Sequence, residues 1–212
     1  NIYSIKDLAN YNPNKLKDKF GIMGKELWNH ANGIDLSRIN DFKISPKESS
    51  YSHSQILFKD YDETNVKIII SEMVEVITER LRRNHKQSSV IGFGIGYSKS
   101  VGGGFYHTVK LDNPTDADKI IKDTCYMIFD RFYSYLPIRK VSVSCGGLSL
   151  KTGIQLNIFD SFDEISKTDE LNATIDQIKD KFGKNSLLKA SNLLKDSTAI
   201  MRNNKIGGHN AN

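Results

Sequence analysis

Apolar and polar positions switch between two periods along this chain. Val66, Ile69, Ile70, Met73, Ile77 and Leu81 recur at steps of three and four, which predicts an amphipathic helix over residues 64–83. Ile91, Phe93, Ile95 and Tyr97 alternate with Gly92, Gly94, Gly96 and Ser98, the period of a strand. Gly102-Gly103-Gly104 supplies a turn into a second strand over 105–111. Pro114-Thr115 then opens another helix, with Ala117, Ile120, Ile121, Cys125, Ile128, Phe129 and Phe132 on one stripe. A strand-like run over 51–58 precedes this block and one over 138–148 closes it. The order β-α-β-β-α-β predicts an α+β fold over 51–149: a four-stranded sheet with both helices on one face.

The flanks are less regular. Residues 1–38 read as short helices: Ser4 precedes Ile5 and Leu8, and Asn12-Pro13 reads as an N-cap with proline in the first turn. Gly21 stops that helix, and a Gly21-Ile22-Met23-Gly24 turn leads into residues 25–31. The turn either offers amides to a phosphate or is a turn and nothing more. Residues 39–50, with Pro46 and Ser49-Ser50, form a linker. Over 150–212, Thr168 caps a modest helix bearing Leu171, Ile175 and Ile178 that ends near Gly183. Leu187, Leu188, Leu193 and Leu194 predict one more short helix, and the tail through Gly207-Gly208 is expected to be flexible.

Composition narrows the class. The chain has 212 residues, 38% of them hydrophobic and 26% charged, which excludes collagen, coiled coil and full-length disorder. Two cysteines, Cys125 and Cys145, make neither a disulfide framework nor a zinc site, and fit a reducing cytoplasm. No apolar run reaches the roughly 18 residues of a membrane span. Thirty Lys and Arg against twenty-five Asp and Glu leave +5, spread as +2 over 1–50, +2 over 51–150 and +1 over 151–212. No segment is a basic tail, so a surface for a polyanion must come from sorting charge onto one face.

Two helices cover one face of such a sheet, and the alternation lists what remains on the other. Gly92, Gly94, Gly96 and Ser98 come from the second strand, and Lys140, Ser142 and Ser144 from the last. Tyr106, Thr108 and Lys110 come from the third, and either Ser52 with Ser54 or His53 with Gln55 from the first. Alternate glycines bare the backbone to close approach by another chain. Hydroxyls and a few cations without aromatics suit phosphate and sugar contacts better than base stacking, and a duplex better than a single strand. The bland reading of the same pattern is a solvated face or one packed against another domain.

Several separated motifs resemble one family. Ile5-Lys6-Asp7-Leu8-Ala9, Lys19-Phe20-Gly21-Ile22-Met23-Gly24 and Trp28–Asp35 resemble the thumb of Y-family translesion DNA polymerases, of the ImpB/MucB/SamB and UmuC/DinB type. Ser52-His53-Ser54-Gln55, Arg80–Arg83, Gly92–Ser98 and Gly103-Gly104-Phe105 resemble the family's little finger. Gln155–Asp160, Lys181-Phe182-Gly183 and Lys205–His209 are similar to the tails of its UvrX-like UV-damage repair branch in Gram-positive bacteria. The resemblance implies a partial thumb over 1–38, a DNA-binding little finger over 51–149 and a clamp-binding segment and tail over 150–212. The palm and fingers of such polymerases lie upstream and carry the carboxylates of two-metal nucleotidyl transfer. This chain is therefore expected to lack catalytic and metal-ligating residues and to be inactive alone, Mg²⁺ belonging to the palm of the parent polymerase.

By the same resemblance, Arg139, Lys140, Ser142, Ser144, Tyr106, His107, Lys110, Ser52, His53, Ser54, Gly94 and Gly96 would contact the backbone of double-stranded primer–template DNA. Gln155, Leu156, Asn157, Ile158 and Phe159 resemble the pentapeptide by which bacterial polymerases dock on the sliding clamp; the alternative is an edge segment folded back on the sheet. The expected setting is cytoplasmic and nucleoid-associated, in an SOS-type response to DNA damage and with no membrane partner. Two other readings are a clamp-interaction module with little DNA affinity and a ferredoxin-like RNA binder. Asp60, Asp62 and Glu63 precede a helix, where acids favour the N-terminus, and Arg82, Arg83 and Lys86 end one. Cys125 lies on a core stripe and reads as packing.

Overall fold

The computed structural model describes residues 2–38, 50–152, 162–206 and 209–210. The chain divides into two compact units, Asn1–Lys47 and Glu48–Asn212.

In the first unit, α1 (Ile5–Ala9), α2 (Pro13–Phe20) and α3 (Ile22–Ala31) follow one another closely. Ser4 and Asp7 form a reciprocal capping box on α1, and the Asn12 side chain accepts from the amides of Asn14 and Lys15 at the start of α2. The expected Gly21–Gly24 turn is shorter than its glycines suggest, because α3 begins at Ile22. Gly24 instead lies in the first turn of α3, where a Cβ would sit 2.1 Å from the Leu16 carbonyl oxygen. It lets two helices touch backbone to backbone.

The second unit is built on β1 (Tyr51–Tyr61), α4 (Glu63–Arg83), β2 (Lys86–Tyr97), β3 (Gly104–Thr115), α5 (Asp118–Phe132) and β4 (Ile138–Leu150). The sheet order is β1-β4-β2-β3, with every neighbouring pair antiparallel. One apolar cluster joins Val66, Ile69, Ile70, Met73, Ile77 and Leu81 of α4 and Ile121, Ile128 and Phe129 of α5 to Ile91, Phe93, Val141 and Val143 of the sheet. Both helices therefore lie on one face, as the periodicity predicts. Asp62 caps α4, its carboxylate accepting from Thr64 and Asn65.

The tail is more ordered than its weak apolar pattern suggests. Helix α6 (Phe162–Phe182) starts six residues before Thr168, the expected cap. A 3₁₀ turn (Ala190–Leu193), α7 (Ala199–Asn203) and a two-strand pairing of β5 (Lys205–Ile206) with β6 (His209–Asn210) follow. Charge holds these pieces to the helix layer. Arg82 donates from Nε and Nη2 to both oxygens of Asp176 on α6, at 2.8 and 3.1 Å, and from Nη1 to Asp118 at 2.8 Å. Lys151, after β4, bridges Asp116 and Asp169 at 2.9 Å each. Lys179 of α6 pairs with Glu75 of α4. The Glu72 carboxylate, 1% exposed, accepts from the Thr198 amide and hydroxyl and from Arg202. A buried carboxylate so fully bonded fixes position, because stripping its partners would leave a charge without water.

Burial opposes ionisation of Asp118, but Lys189, the Thr78 hydroxyl and Arg82 outweigh it and hold the carboxyl below its ordinary value. A depressed acid contributes stability that is complete above its unfolded pKa of about 4 and is lost as pH falls through the lower, folded value. Urea midpoints followed by far-UV circular dichroism should thus be flat near about pH 6 and fall below about pH 4, and Asp118→Asn should flatten that fall.

Candidate nucleic-acid interface

The sheet register settles which residues share the face that carries no helix among the described residues. Gly94 pairs with Tyr106 and Ser142, Gly92 with Thr108 and Ser144, and Gly96 with Lys140. Val90 pairs with Lys110, while Ser52, Ser54 and Ile56 of β1 pair with Ser144, Ser142 and Lys140. Tyr106, Thr108, Lys110, Lys140, Ser142, Ser144, Ser52, Ser54, Gly94 and Gly96 therefore stand together. His53 pairs with Val143, and His107 with Phe93, which puts both on the helix side. They are corrections to the expected set, and side-chain period two is the reason: a neighbour in sequence is on the other face. His107 instead stacks on Phe132, with ring centroids 3.7 Å apart.

The glycine row is not bare. A Cβ at Gly92 would lie 2.1 Å from the Tyr106 hydroxyl, and one at Gly94 would lie 2.7 Å from Cδ2 of the same ring. The tyrosine lies flat across the missing side chains and its hydroxyl meets Ser144 Oγ at 2.6 Å. Ser54 and Ser142 share a second hydroxyl pair at 2.9 Å. Gly96 gives its space to Lys140, whose Cβ would be 3.2 Å from an added methyl. The glycines thus seat two cross-strand side chains, a use the alternation alone does not reveal but which an aromatic opposite a glycine signals.

Charge on the face is sparse and of one sign. From Val90 to Gly96 and their partners, the residues facing away from the helices include Lys110 and Lys140 and no acid. The two lysines stand level with positions six residues apart on β2, about 20 Å at a strand's rise per residue. Arg139 is the extra residue of a bulge between the Gly96 and Tyr97 pairs, and it bonds Asp60 at 3.2 Å. It stands at the β1 rim, outside the hydroxyl row. Arg82 and Arg83 are already paired: Arg82 with Asp118 of α5 and Asp176 of α6, Arg83 with Glu79 of α4 and Asp180 of α6. Burial pushes the Cys145 thiol up to about 12 and the Cys125 thiol higher still, so both are packing groups. Gln155, Leu156, Asn157, Ile158 and Phe159 lie outside the described residues. Among the described residues no helix is long and apolar enough to cross a membrane.

The conflict at Gly92 is with side chains, whereas a Cβ at Gly94 would also stand 2.5 Å from the Phe105 carbonyl oxygen. Gly94→Ala should cost about 1–3 kcal/mol whether or not Tyr106 is present. Gly92→Ala should destabilise the parent but cost less in a Tyr106→Ala background. Thermal denaturation of the double-mutant cycles measures the difference.

Residues 48–158 match the model of the impB/mucB/samB family C-terminal domain. The chain is 36% identical over 210 residues to the putative UV-damage repair protein UvrX of Bacillus subtilis, covering 98% of this chain and 50% of that protein. It is 31% identical over 210 residues to DNA polymerase IV 2 of Halalkalibacterium halodurans, with the same 98% and 50% coverage. It is also 40% identical over 135 residues to the DNA repair protein homolog YobH of Bacillus subtilis, covering 63% of this chain and 62% of that one. The chain spans about half the length of the first two relatives. A helix-free sheet face, the β-α-β-β-α-β order and these likenesses agree: the chain belongs to the impB/mucB/samB family of Y-family DNA polymerases, and its second unit contains that family's C-terminal domain.

Proposed function

We propose that this chain is the DNA-gripping part of a lesion-bypass polymerase, holding primer–template duplex by its backbone while a tail segment docks on the sliding clamp. The acid-free polar face between Lys110 and Lys140 carries the proposal. Its roughly 20 Å span matches about six phosphates of one strand along a duplex axis. Hydroxyls of Ser52, Ser54 and Thr108 between the two cations suit phosphate and sugar oxygens. Tyr106 is pressed onto glycine and tied to Ser144, a poor posture for catching an unstacked base, which favours a duplex over a single strand. The names of the relatives, a UV-damage repair protein and a DNA polymerase IV, support DNA as the partner.

Chemistry belongs elsewhere in this reading. Phosphoryl transfer between nucleotides needs paired carboxylates holding metal ions. Here Asp62 is spent on a helix cap and Asp60 on Arg139. The chain's task is to hold distorted template without reading its sequence. Clamp docking rests on the pentapeptide Gln155–Phe159, a glutamine followed by apolar plugs.

Duplex binding should weaken linearly on a log–log salt plot and vary little with sequence. Lys110→Glu with Lys140→Glu should lower that slope by about 2 and weaken all duplexes alike. An unchanged slope would remove the face assignment. Leu156→Ala with Phe159→Ala should abolish retention on immobilised clamp and leave duplex affinity as it was; retained clamp binding would remove the docking half.

A further inference from the structure

Beyond the helix-free face, the unit carries a second built surface. Among the described residues strand β1 pairs with β4 alone, so its other edge is free of the sheet. The tail passes that edge through side-chain contacts: Gln55 Nε2 donates to the Thr198 hydroxyl at 3.0 Å, and the Tyr61 hydroxyl donates to the Asp196 carbonyl at 2.9 Å. Between edge and tail runs a groove of about 750 Å³. Leu57 and Val76 give it an apolar floor, with Ile56 and Phe58 exposed beside them. Its cations are Arg139, Lys184, Arg202 and Lys205, and no acid lines it among the described residues.

Two of those cations have acidic partners, Asp60 for Arg139 and Glu72 for Arg202. Lys184 and Lys205 have no ion pair among the described residues, and the Lys205 ammonium rests 4.4 Å over the Phe58 ring. His53, also lining the groove, has a buried Nε2 without a hydrogen-bond partner. Burial first, then the charges of Arg202 and Lys184, hold its imidazole below the ordinary pKa. The ring thus adds no favourable charge partner to a groove whose field is positive. A carboxylate in the groove would balance that field.

We infer that this groove docks an extended, acidic and apolar segment of a partner polypeptide, added as a strand along the free edge of β1. The apolar floor separates a polypeptide from a phosphodiester chain, which presents charge at every step. An edge strand offers backbone hydrogen bonds that only another polypeptide can match in register. Groove cations then select acidic side chains at alternate positions, the ones a strand would turn the same way.

A fluorescein-labelled peptide of alternating Asp and Val, titrated against the whole chain by anisotropy, tests this. Saturable binding with a Kd on the order of 10 μM is expected. Lys184→Glu with Lys205→Glu, two changes away from the core, should weaken it at least about tenfold, and an Asn–Val peptide should bind about tenfold less well than the Asp–Val one. Lys110→Glu, on β3 at the far edge of the sheet, should leave peptide binding intact while weakening duplex binding, so the groove and the duplex face fail or succeed separately. Equal binding of both peptides, or indifference to the Lys184 and Lys205 changes, overturns the proposal. So does oligothymidylate binding that the same two changes abolish, because the groove would then be a nucleic-acid channel.

Discussion

The apolar cluster of the second unit is sealed from one side only. Helices α4 and α5 press Ile69, Met73, Ile128 and Phe129 onto Ile91, Phe93, Val141 and Val143, and the opposite side of the same strands keeps hydroxyls, glycines and two lysines. Burial on one face makes register strict, since a slip of one residue would send Phe93 to water and Gly94 to the core. That strictness turns a composition of small polar residues into an ordered surface. The hydroxyl pairs and the seated tyrosine then stiffen it without charge.

The tail follows a different physics. Helix α6 and the segment after it dock through Arg82–Asp176, Lys179–Glu75 and Glu72 with Thr198, contacts between charged or polar groups that lie largely out of water. Such pairs add little net stability over well-packed apolar residues, but they are costly to break singly and so define one position. Asp169, Asp176, Lys179 and Arg202 are in this sense spent inside the unit.

Residues with a strong period were legible from sequence. The stripe from Val66 to Leu81 marked α4 to within a residue of its start, and the alternation from Ile91 to Tyr97 marked the core half of β2. The first half of β2 was not legible, because Gln87, Ser88 and Ser89 show no alternation. Ser88 is nonetheless fully buried, its hydroxyl donating to the Gly146 and Val90 carbonyls. Helix α6 is docked by charge at Asp169, Asp176 and Lys179, so its apolar pattern is weak. The faces taken by His53 and His107 are matters of register, set for His53 by Val143 on a strand ninety residues away and for His107 by Phe93 across the hairpin. The Glu72 clasp left no local mark at all, its partners being 126 and 130 positions distant.

The strand order has a consequence for how the domain comes into being. Strand β2 meets β3 across a short turn, but Tyr51 of β1 waits for Cys145 of β4. On a ribosome adding about 5–20 residues per second, that wait lasts about 5–20 seconds, during which β1 has no neighbour to hydrogen-bond. Its sequence is fitted to the interval. Ser52, His53, Ser54 and Gln55 make its first half too polar to seek a wrong strand, and the more apolar Ile56, Leu57 and Phe58 are followed directly by Lys59 and Asp60. The strand that waits longest for its neighbour thus carries its one apolar run between polar and charged residues.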